Sequence, residues 1–247
     1  MAKKDERDYL KKIGEAGLAH AVNKPYSDEN CDLYFLQIGT LFSLLPPPPG
    51  ALLDLGCGTG WTSAFFARRG YEVVGQDLSE DMIRAARATW TGEAFPNLAF
   101  VCGDFEELDF RDRFDIAVFF DSLHHAQDEA AAVRSVYRAL KPGGVCVTVE
   151  PGEGHAASHH AVRARERYGV TEKDMPPRRI RRLGAAAGFS SVRIFADVYT
   201  YPRIFVGRVN GNAWLRRLPA GNFFLQLLRV INHQRRRRGN GMVVMIK

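Results

Sequence analysis

Ala51-Leu-Leu-Asp-Leu-Gly-Cys-Gly-Thr-Gly60 is the stretch that decides the fold of this chain. Its first half is short and apolar, as in a buried parallel strand. Its second half is a turn with three glycines, followed by an expected helix from Trp61 to Arg69 that ends at Gly70. A strand, a glycine turn and a helix form the corner of a doubly wound α/β sheet that approaches a phosphate or a nucleoside. Glycine suits such a turn because the backbone bends tightly and approaches a ligand without an intervening Cβ atom.

Helices and strands alternate along the chain after this corner. We predict seven strands, at residues 52–55, 72–77, 98–102, 114–120, 145–149, 191–196 and 242–246. Predicted helices at 79–89 and 129–140 separate strands in the first part of the series, and Ser79 is a good N-cap for the earlier one. Short turns between alternating elements indicate a parallel sheet with helices on both faces. The predicted fold is therefore α/β, with a doubly wound, seven-stranded, mostly parallel sheet.

The segments before and after this core have a different character. Residues 1–22 are polar and compatible with helix, and a further helix is expected at 29–45 with Ser27 or Asp28 as its cap. An insertion of about 40 residues separates the sixth and seventh predicted strands, which is longer than a usual connection. We divide the chain, as a single domain, into an N-terminal helical cap, a core and a substrate-side segment, at residues 1–49, 50–150 and 151–247.

The composition is that of an ordinary globular protein. A length of 247 residues suits one large domain with its own core. The chain has no run of about 18 apolar residues, and its charged N-terminus lacks the apolar region of a secretory signal. The four cysteines are far apart and form no C-x-x-C motif, as expected for reduced thiols. We therefore expect a cytoplasmic protein.

The formal net charge of +6 is concentrated in two arginine groups, at 178–182 and 235–238. A basic patch suits nucleic acid, anionic lipid or a phosphorylated substrate, and it also suits a solvated loop. Nucleic acid is not the expected partner, because no separate RNA-binding module is visible. The apolar run 223–231 beside the second group permits a transient contact with a membrane surface. We favour burial of this run against the sheet edge or in a homodimer, with the arginines in a solvated loop, because the run is short for a membrane anchor.

Three carboxylates stand at or just after the ends of predicted strands. Asp54 is in the first strand, Asp77 ends the second, and Asp104 follows the third. The carboxyl ends of such strands open on one crevice. An acid at the end of strand two can accept hydrogen bonds from ribose hydroxyls. An acid after strand three can accept from an adenine amino group while Phe105 or Leu78 packs on the ring.

The glycine spacing argues against a nicotinamide dehydrogenase. That fingerprint needs G-x-G-x-x-G or G-x-G-x-x-A. Here Gly60 comes only two residues after Gly58, and Ala64 comes too late. Asp54, which precedes the first glycine, also fits a cationic amino-acid group better than a pyrophosphate.

Together these motifs resemble the class I S-adenosylmethionine-dependent methyltransferases. The first motif of that family, an acid followed by G-x-G-x-G, matches Asp54–Gly60, and its ribose-binding acid matches Asp77. Its adenine-contacting acid and aromatic neighbour match Asp104 and Phe105, and its L-K-P-G-G turn is present as Leu140–Gly144. The resemblance covers residues 50–150 well and implies S-adenosyl-L-methionine as the cofactor. The cofactor-binding residues expected from it are Asp54, Gly56, Gly58, Gly60, Asp77, Leu78, Met82, Asp104, Phe105 and Asp121.

His124 and His125 are the candidate catalytic residues. They follow the fourth predicted strand, beside the expected reactive end of the cofactor. Histidine suits proton transfer near neutral pH, and a hydroxyl acceptor benefits from a base that removes its proton. The alternative is that the two rings line the cofactor pocket or pack locally, as they often do in related methyltransferases.

A second group of histidines follows the fifth predicted strand, in residues 150–160. His155 and His159 are four apart, which would suit a metal ion on a helix. Gly152 and Gly154 make a helix start there uncertain, and no carboxylate stands at the ligand spacing of known zinc sites. We therefore assign no metal ligand and expect this segment to contact substrate.

The acceptor pocket is expected from the N-terminal helices and the long insertion. Aromatic and arginine side chains there suit flat or hydroxylated acceptors, although they could equally form an apolar core. The candidates are Tyr26, Asn30, Tyr34, Tyr199, Tyr201, Arg203, Trp214 and Phe223. We expect methyl transfer to a small-molecule acceptor, with a hydroxyl of a sugar-like or natural-product compound as the target. The alternatives are an RNA or protein methyltransferase, or a non-catalytic protein that binds the cofactor.

Overall fold

The computed structural model describes residues 2–90, 92–195 and 241–247. Its strands are β1 (Ala51–Leu55), β2 (Glu72–Asp77), β3 (Leu98–Cys102), β4 (Phe114–Phe120), β5 (Leu140–Glu150), β6 (Ser191–Phe195) and β7 (Gly241–Ile246). They form one sheet in the order β3-β2-β1-β4-β5-β7-β6. The pairs among β1 to β5 are parallel, whereas β7 is antiparallel to both of its neighbours. The predicted seven-stranded, mostly parallel α/β sheet is therefore confirmed.

Helices cover both faces of this sheet. They are α1 (Ala2–Arg7), α2 (Tyr9–Val22), α3 (Cys31–Leu44), α4 (Trp61–Arg69), α5 (Glu80–Trp90), α6 (Glu129–Ala139), α7 (His159–Tyr168) and α8 (Pro177–Ala187). Short 3-10 turns follow β3 and β4, at Phe105–Glu107 and Leu123–His125. No helix among the described residues combines the length and apolar character that crossing a membrane requires.

The core has two layers because successive side chains of a strand point to opposite faces. Leu52 of β1 belongs to the cluster on the face covered by α3, α4 and α5. Leu53, the next residue, belongs to the cluster on the face covered by α6 and α8. Both leucines are fully buried, so the strand that leads into the glycine turn is held from both sides.

Some boundaries differ from the sequence predictions. β5 begins at Leu140, not at residue 145, because the pairing with β4 shifts between Phe114↔Leu140 and Ile116↔Val145. The segment 140–144 is therefore an irregular part of the strand and not a separate turn. The N-cap of α3 is Asn30, while Asp28 Oδ1 accepts a hydrogen bond from the Asn30 amide at 2.9 Å. The insertion after β6, with its apolar run and the arginines at 235–238, lies outside the described residues.

The strand order places a crevice next to the glycine turn. β1 lies between β2 and β4, so the chain leaves β1 in one direction along the sheet and returns on the other side. Ligands of open α/β sheets bind at such a reversal point, outside the carboxyl ends of the strands.

Candidate active site

The glycine turn after β1 has left-handed backbone at all three glycines. The φ angles of Gly56, Gly58 and Gly60 are 66°, 53° and 81°. A Cβ atom on Gly56 would lie 2.6 Å from the Ser122 Cβ atom, and one on Gly60 would lie 2.6 Å from the Phe100 ring. A Cβ atom on Gly58 would meet nothing within 4 Å. Gly58 is therefore required by its backbone conformation and faces open space.

Asp77, at the end of β2, holds this turn in place. Its Oδ2 atom accepts a hydrogen bond from the Gly58 amide at 2.9 Å, and its Oδ1 atom accepts one from the Ser79 amide at 2.8 Å. Burial raises the pKa of the Asp77 carboxyl, although these amide donors oppose the shift. The carboxylate thus joins the glycine turn to the start of α5.

A cleft of about 460 Å³ opens beside this carboxylate. Leu78 and Asp104 line it, and side chains of α1, α2 and α5 complete its wall. The lining residues are Arg7, Asp8, Lys11, Leu78, Glu80, Asp81, Arg84, Cys102, Gly103 and Asp104. Met82 is buried within α5 and is not part of this lining.

Asp104 is already paired within the chain. Its Oδ1 atom accepts a hydrogen bond from the Glu106 amide at 2.9 Å, and its Oδ2 atom lies 2.6 Å from the Lys3 ammonium. Lys3 also lies 2.9 Å from Glu106 Oε2. The Phe105 ring packs edge-to-face on Phe119 with centroids 5.6 Å apart, so Leu78 is the better placed of the two apolar candidates to pack on a ligand ring in the cleft.

Asp54, in β1, is buried against the first turn of α4. Its Oδ2 atom accepts hydrogen bonds from Thr62 Oγ1 at 2.7 Å and Ser63 Oγ at 2.6 Å. Burial raises the pKa of Asp54 to about 6, against the opposing effect of these two hydroxyls. Asp54 therefore ties β1 to the helix behind the glycine turn, and its contact with a cofactor stays a prediction.

The histidine pair lies at the end of β4, directly beside the glycine turn. Ser122 immediately precedes the 3-10 turn Leu123–His125 that contains the pair. Its hydroxyl donates a hydrogen bond to the carbonyl of Leu55, the last residue of β1, at 2.7 Å. Asp121 is half exposed, has a left-handed φ of 54°, and places its Oδ1 atom 3.9 Å from His124 Nδ1. The rings of His124 and His125 are tilted, with centroids 4.0 Å apart.

Glu150, the last residue of β5, organises this turn. One of its carboxylate oxygens accepts from the amides of Ser122 and Leu123, at 3.1 and 2.7 Å. The other accepts from the His124 amide at 3.2 Å and pairs with His124 Nδ1 at 2.8 Å. Glu150 thereby fixes both the backbone and the ring of His124.

Two carboxylates from distant parts of the chain, Glu6 and Glu172, also lie next to the histidine pair. Glu172 Oε2 lies 3.5 Å from His124 Nε2 and 2.7 Å from His155 Nε2. Glu6 of α1 accepts a hydrogen bond from the Thr171 amide at 2.6 Å and lies 3.7 Å from His125 Nδ1. The sequence singled out neither, because both reach the site through tertiary packing.

The two histidines have opposite charge preferences. Burial alone would lower the pKa of His124, but its contacts with Glu150 and Glu172 outweigh burial and raise that pKa to about 10. Partial burial and the positive charge on His124 lower the pKa of His125 to about 4. Burial also raises the pKa of Glu6 to about 7, with the Thr171 amide opposing it and Glu172 adding to it. His124 therefore carries a proton between two carboxylates, while His125 is neutral.

Of the residues predicted to contact the acceptor, some lie near the glycine turn and others are exposed on the surface. Tyr34 packs on Trp61 and Phe120, close to the glycine turn, and its hydroxyl accepts from Lys24 at 3.3 Å. Tyr26 is 73% exposed. Asn30 is exposed, as is His159, which begins α7 away from His155. The aromatic and arginine candidates at 199–223 lie outside the described residues.

Comparison with known proteins identifies the central part of the chain. Residues 53–148 match the model of a family described as a methyltransferase domain. The match spans the glycine turn, Asp77, Asp104 and the histidine pair. Residues 53–148 are therefore a class I S-adenosylmethionine-dependent methyltransferase domain.

Curated bacterial methyltransferases are similar in sequence to this domain. A ubiquinone biosynthesis O-methyltransferase of Bradyrhizobium is 36% identical over 96 residues, which are 39% of this chain and 38% of that protein. A demethylmenaquinone methyltransferase of Lactococcus lactis is 36% identical over 104 residues, which are 40% of this chain and 41% of that protein. The match to each of these relatives therefore spans about two-fifths of the relative's length.

The fold extends over more of the chain than the sequence match. The structure of phosphoethanolamine N-methyltransferase 2 of Haemonchus contortus with S-adenosyl-L-methionine is 19% identical. It aligns with a TM-score of 0.66 over 98% of this chain and 59% of that one. At this identity the likeness concerns the fold alone.

S-adenosyl-L-methionine is the cofactor of the methyltransferase domain, and the described residues fit it. Gly58 presents open space where a larger residue would place a Cβ atom. The cleft at Leu78 and Asp104 has a volume suited to a nucleoside and offers carboxylate acceptors among its polar lining. Asp77, Leu78 and Asp104 are the residues that would hold the adenosine part.

Proposed function

We propose that the whole chain is a methyltransferase that acts on a hydroxyl of a small molecule, of the sugar-like or natural-product kind. The observation that carries this proposal is the partial exposure of His125, in the 3-10 turn that follows β4 and that Ser122 joins to the end of β1. Its side chain is 32% exposed, whereas that of His124 is 3% exposed. An acceptor can therefore reach His125 directly.

The hydrogen bonding of His125 leaves one ring nitrogen free to accept a proton. Nδ1 lies 2.6 Å from the Thr171 carbonyl oxygen. Because a carbonyl can only accept, Nδ1 of the neutral ring must carry the proton, and Nε2 then has its lone pair. His125 Nε2 is thus the group that we expect to receive the proton of an acceptor hydroxyl.

His124 has a different expected role. Its ring is held between Glu150 and Glu172, and its proton is stabilised by both. A histidine that already holds its proton is a poor base, so His124 supports the site by fixing the turn and by supplying positive charge. The cofactor supplies the electrophilic methyl group when it is bound.

Two features support a small, oxygen-containing acceptor. His125 has Glu6 of α1 as a close neighbour, 3.7 Å from Nδ1, and is only about one-third exposed, which suits a small acceptor better than a polymer. One of the curated relatives is by name an O-methyltransferase of ubiquinone biosynthesis. A phenolic or alcoholic hydroxyl is the acceptor group that most needs a base.

The test combines cofactor binding with a screen of acceptors. Calorimetry with S-adenosyl-L-methionine should show at least tenfold weaker binding to the Asp77→Ala variant, because a ribose partner and an anchor of the glycine turn are both lost. Asp109→Ala, which removes an exposed carboxylate, is the matched control. Equal affinity for the wild type and Asp77→Ala would refute the placement of the cofactor.

The acceptor is then sought with a labelled methyl donor and sets of sugars, phenols, lipids and RNA. We expect label on a sugar-like or phenolic hydroxyl, and a fall in kcat of about 10²–10⁴-fold for His125→Ala, the usual contribution of a general base. Label on RNA or protein, or the absence of transfer to every class, would contradict the proposal.

A further inference from the structure

Three side chains at the proposed active site lie close enough together to serve as ligands of one metal ion. One ligand atom each from His124, His125 and Glu172 can be chosen so that all three lie within 4.8 Å of one another. Two imidazoles and one carboxylate are the protein ligands of several catalytic zinc sites and of non-haem iron sites. The sequence offered no sign of this set, because Glu172 lies 47 positions after His125.

Both histidines are oriented as metal-binding histidines are. A ligating histidine gives its other ring N–H to a carboxylate or a backbone carbonyl, which fixes the ring and the tautomer. Here Nδ1 of His124 pairs with Glu150 at 2.8 Å, and Nδ1 of His125 pairs with the Thr171 carbonyl at 2.6 Å. In each ring, Nδ1 is therefore occupied by a hydrogen bond to the protein, and Nε2 is the nitrogen left to bind an ion.

The distance between His124 Nε2 and Glu172 Oε2 fits a shared ion. At 3.5 Å it is longer than an ordinary hydrogen bond. Two ligand atoms about 2.1 Å from one ion, at an angle of about 90–110°, lie about 3.0–3.4 Å apart. The pair thus needs a movement of only a few tenths of an ångström to share an ion, which would take the place of the proton on His124 Nε2.

Glu172 is supported in the same way as the histidines. Its Oε2 atom is 2.7 Å from His155 Nε2, so His155 can hold the carboxylate by donating a hydrogen bond. Ligating carboxylates commonly have such a partner. The side chains of His124 and Glu172 are 3% and 6% exposed, while that of His125 is 32% exposed, so the open side of the set faces the position proposed for the acceptor.

We propose that His124, His125 and Glu172 bind one divalent transition-metal ion, of the zinc or iron(II) type, with an open coordination position toward the acceptor. Imidazole ligands favour these ions over Mg²⁺ and Ca²⁺, which prefer oxygen donors. This inference rests on the proposed function for the location of the acceptor. With the ion present, His125 Nε2 would be a ligand and could not also act as the base. The ion would lower the pKa of an acceptor hydroxyl, whose proton would leave to solvent on the exposed side of His125.

The test measures metal binding by the full chain without cofactor or acceptor. The protein is stripped with a chelator, dialysed against Zn²⁺, Co²⁺ or Mg²⁺ at equal concentration, and its metal content is determined by mass spectrometry. We expect one Zn²⁺ or Co²⁺ per chain, little Mg²⁺, and visible absorption bands of Co²⁺ bound to nitrogen and oxygen. His125→Ala and Glu172→Gln should each weaken binding by at least about tenfold.

The matched control is the double variant His159→Ala and His160→Ala, which removes two exposed histidines of α7 and should bind as the wild type does. Loss of binding in this control, or unchanged binding in His125→Ala and Glu172→Gln, would overturn the proposal. So would the absence of bound Zn²⁺ and Co²⁺ from the wild type. Should Glu172→Gln fail to fold, His125→Ala, at a partly exposed position, still decides the question. Because no methyl donor is used, failure here is separate from failure of the methyl-transfer screen.

Discussion

Gly58 is the residue at which backbone conformation and ligand access coincide. Its φ of 53° lies in the left-handed region, and its amide is held by Asp77. We expect Gly58→Ala to lower the free energy of unfolding by about 1–2 kcal/mol, because a Cβ atom in this conformation is strained. Urea unfolding of the two proteins measures the difference.

Gly103→Ala is the matched control for this change. A Cβ atom at Gly103 also meets nothing within 4 Å, but the residue has no positive φ. Its substitution should therefore leave the free energy of unfolding within about 0.5 kcal/mol of the wild-type value. Equal destabilisation by both substitutions would show that left-handed strain is not the cause.

Single residues were predictable where a strand end placed them. Asp77 and Asp104 stand at strand ends, and the doubly wound fold alone brings them to the edge of the sheet beside the glycine turn. Thr62 and Ser63 were not recognised as partners of Asp54, although both begin the helix that the glycine turn leads into. Glu6 and Glu172 could not be found from the sequence, because no local periodicity links them to the histidine pair.

Elements were predictable to the extent that burial on both faces produces apolar runs. The bounds of β2, β3 and β4 coincide with the predicted residues. Of these, β4 is such a run, buried at six of its seven positions, whereas β2 and β3 mix buried with more exposed positions. The start of β5 was wrong because a proline and two glycines read as a turn, whereas the irregular pairing with β4 accommodates them. Propensity cannot reveal an irregularity that depends on the neighbouring strand.

Helix α1 competes with the predicted position of the adenine ring. Lys3 lies 2.6 Å from Asp104, the acid expected to hold the adenine amino group. We expect Lys3→Ala to tighten the binding of S-adenosyl-L-methionine by about two- to fivefold, since the cofactor then no longer displaces an ion pair worth about 0.5–1 kcal/mol. Calorimetry measures this affinity.

Lys4→Ala tests whether the effect is specific to the ion pair. Lys4 is exposed on the same helix, and its substitution removes the same charge. It should leave the affinity within about twofold of the wild type, because exposed charges are largely screened. Tighter binding in both variants would assign the effect to net charge, and unchanged or weaker binding in Lys3→Ala would mean that Lys3 does not oppose the cofactor.

At the scale of the whole molecule, the N-terminal helices join the cofactor side to the acceptor side. Ser79 donates to the Arg7 carbonyl and Thr59 donates to the Ala21 carbonyl, both at 2.8 Å, so the segment touches α5 and the glycine turn. Glu6 reaches Thr171 on the other side. These contacts are polar, and α2 has no buried residue. The segment therefore closes the site without supplying the hydrophobic core.

Removal of residues 1–22 should separate folding from binding. Among the described residues, the buried members of the two core clusters begin at Ile38, so the shortened chain should unfold cooperatively with a free energy within about 2 kcal/mol of the full-length value. It should bind S-adenosyl-L-methionine at least about fivefold more weakly, because Arg7, Asp8 and Lys11 form one wall of the cleft.

Lys3→Ala in the full-length chain is the control for this truncation, since it frees Asp104 while the wall remains. The two changes should therefore shift the cofactor affinity in opposite directions. If the shortened chain fails to unfold cooperatively, the helices belong to the folding unit. If it binds the cofactor as tightly as the full chain, the wall formed by α1 and α2 contributes no binding energy. Either result would contradict the inference that residues 1–22 close the site without contributing to the hydrophobic core.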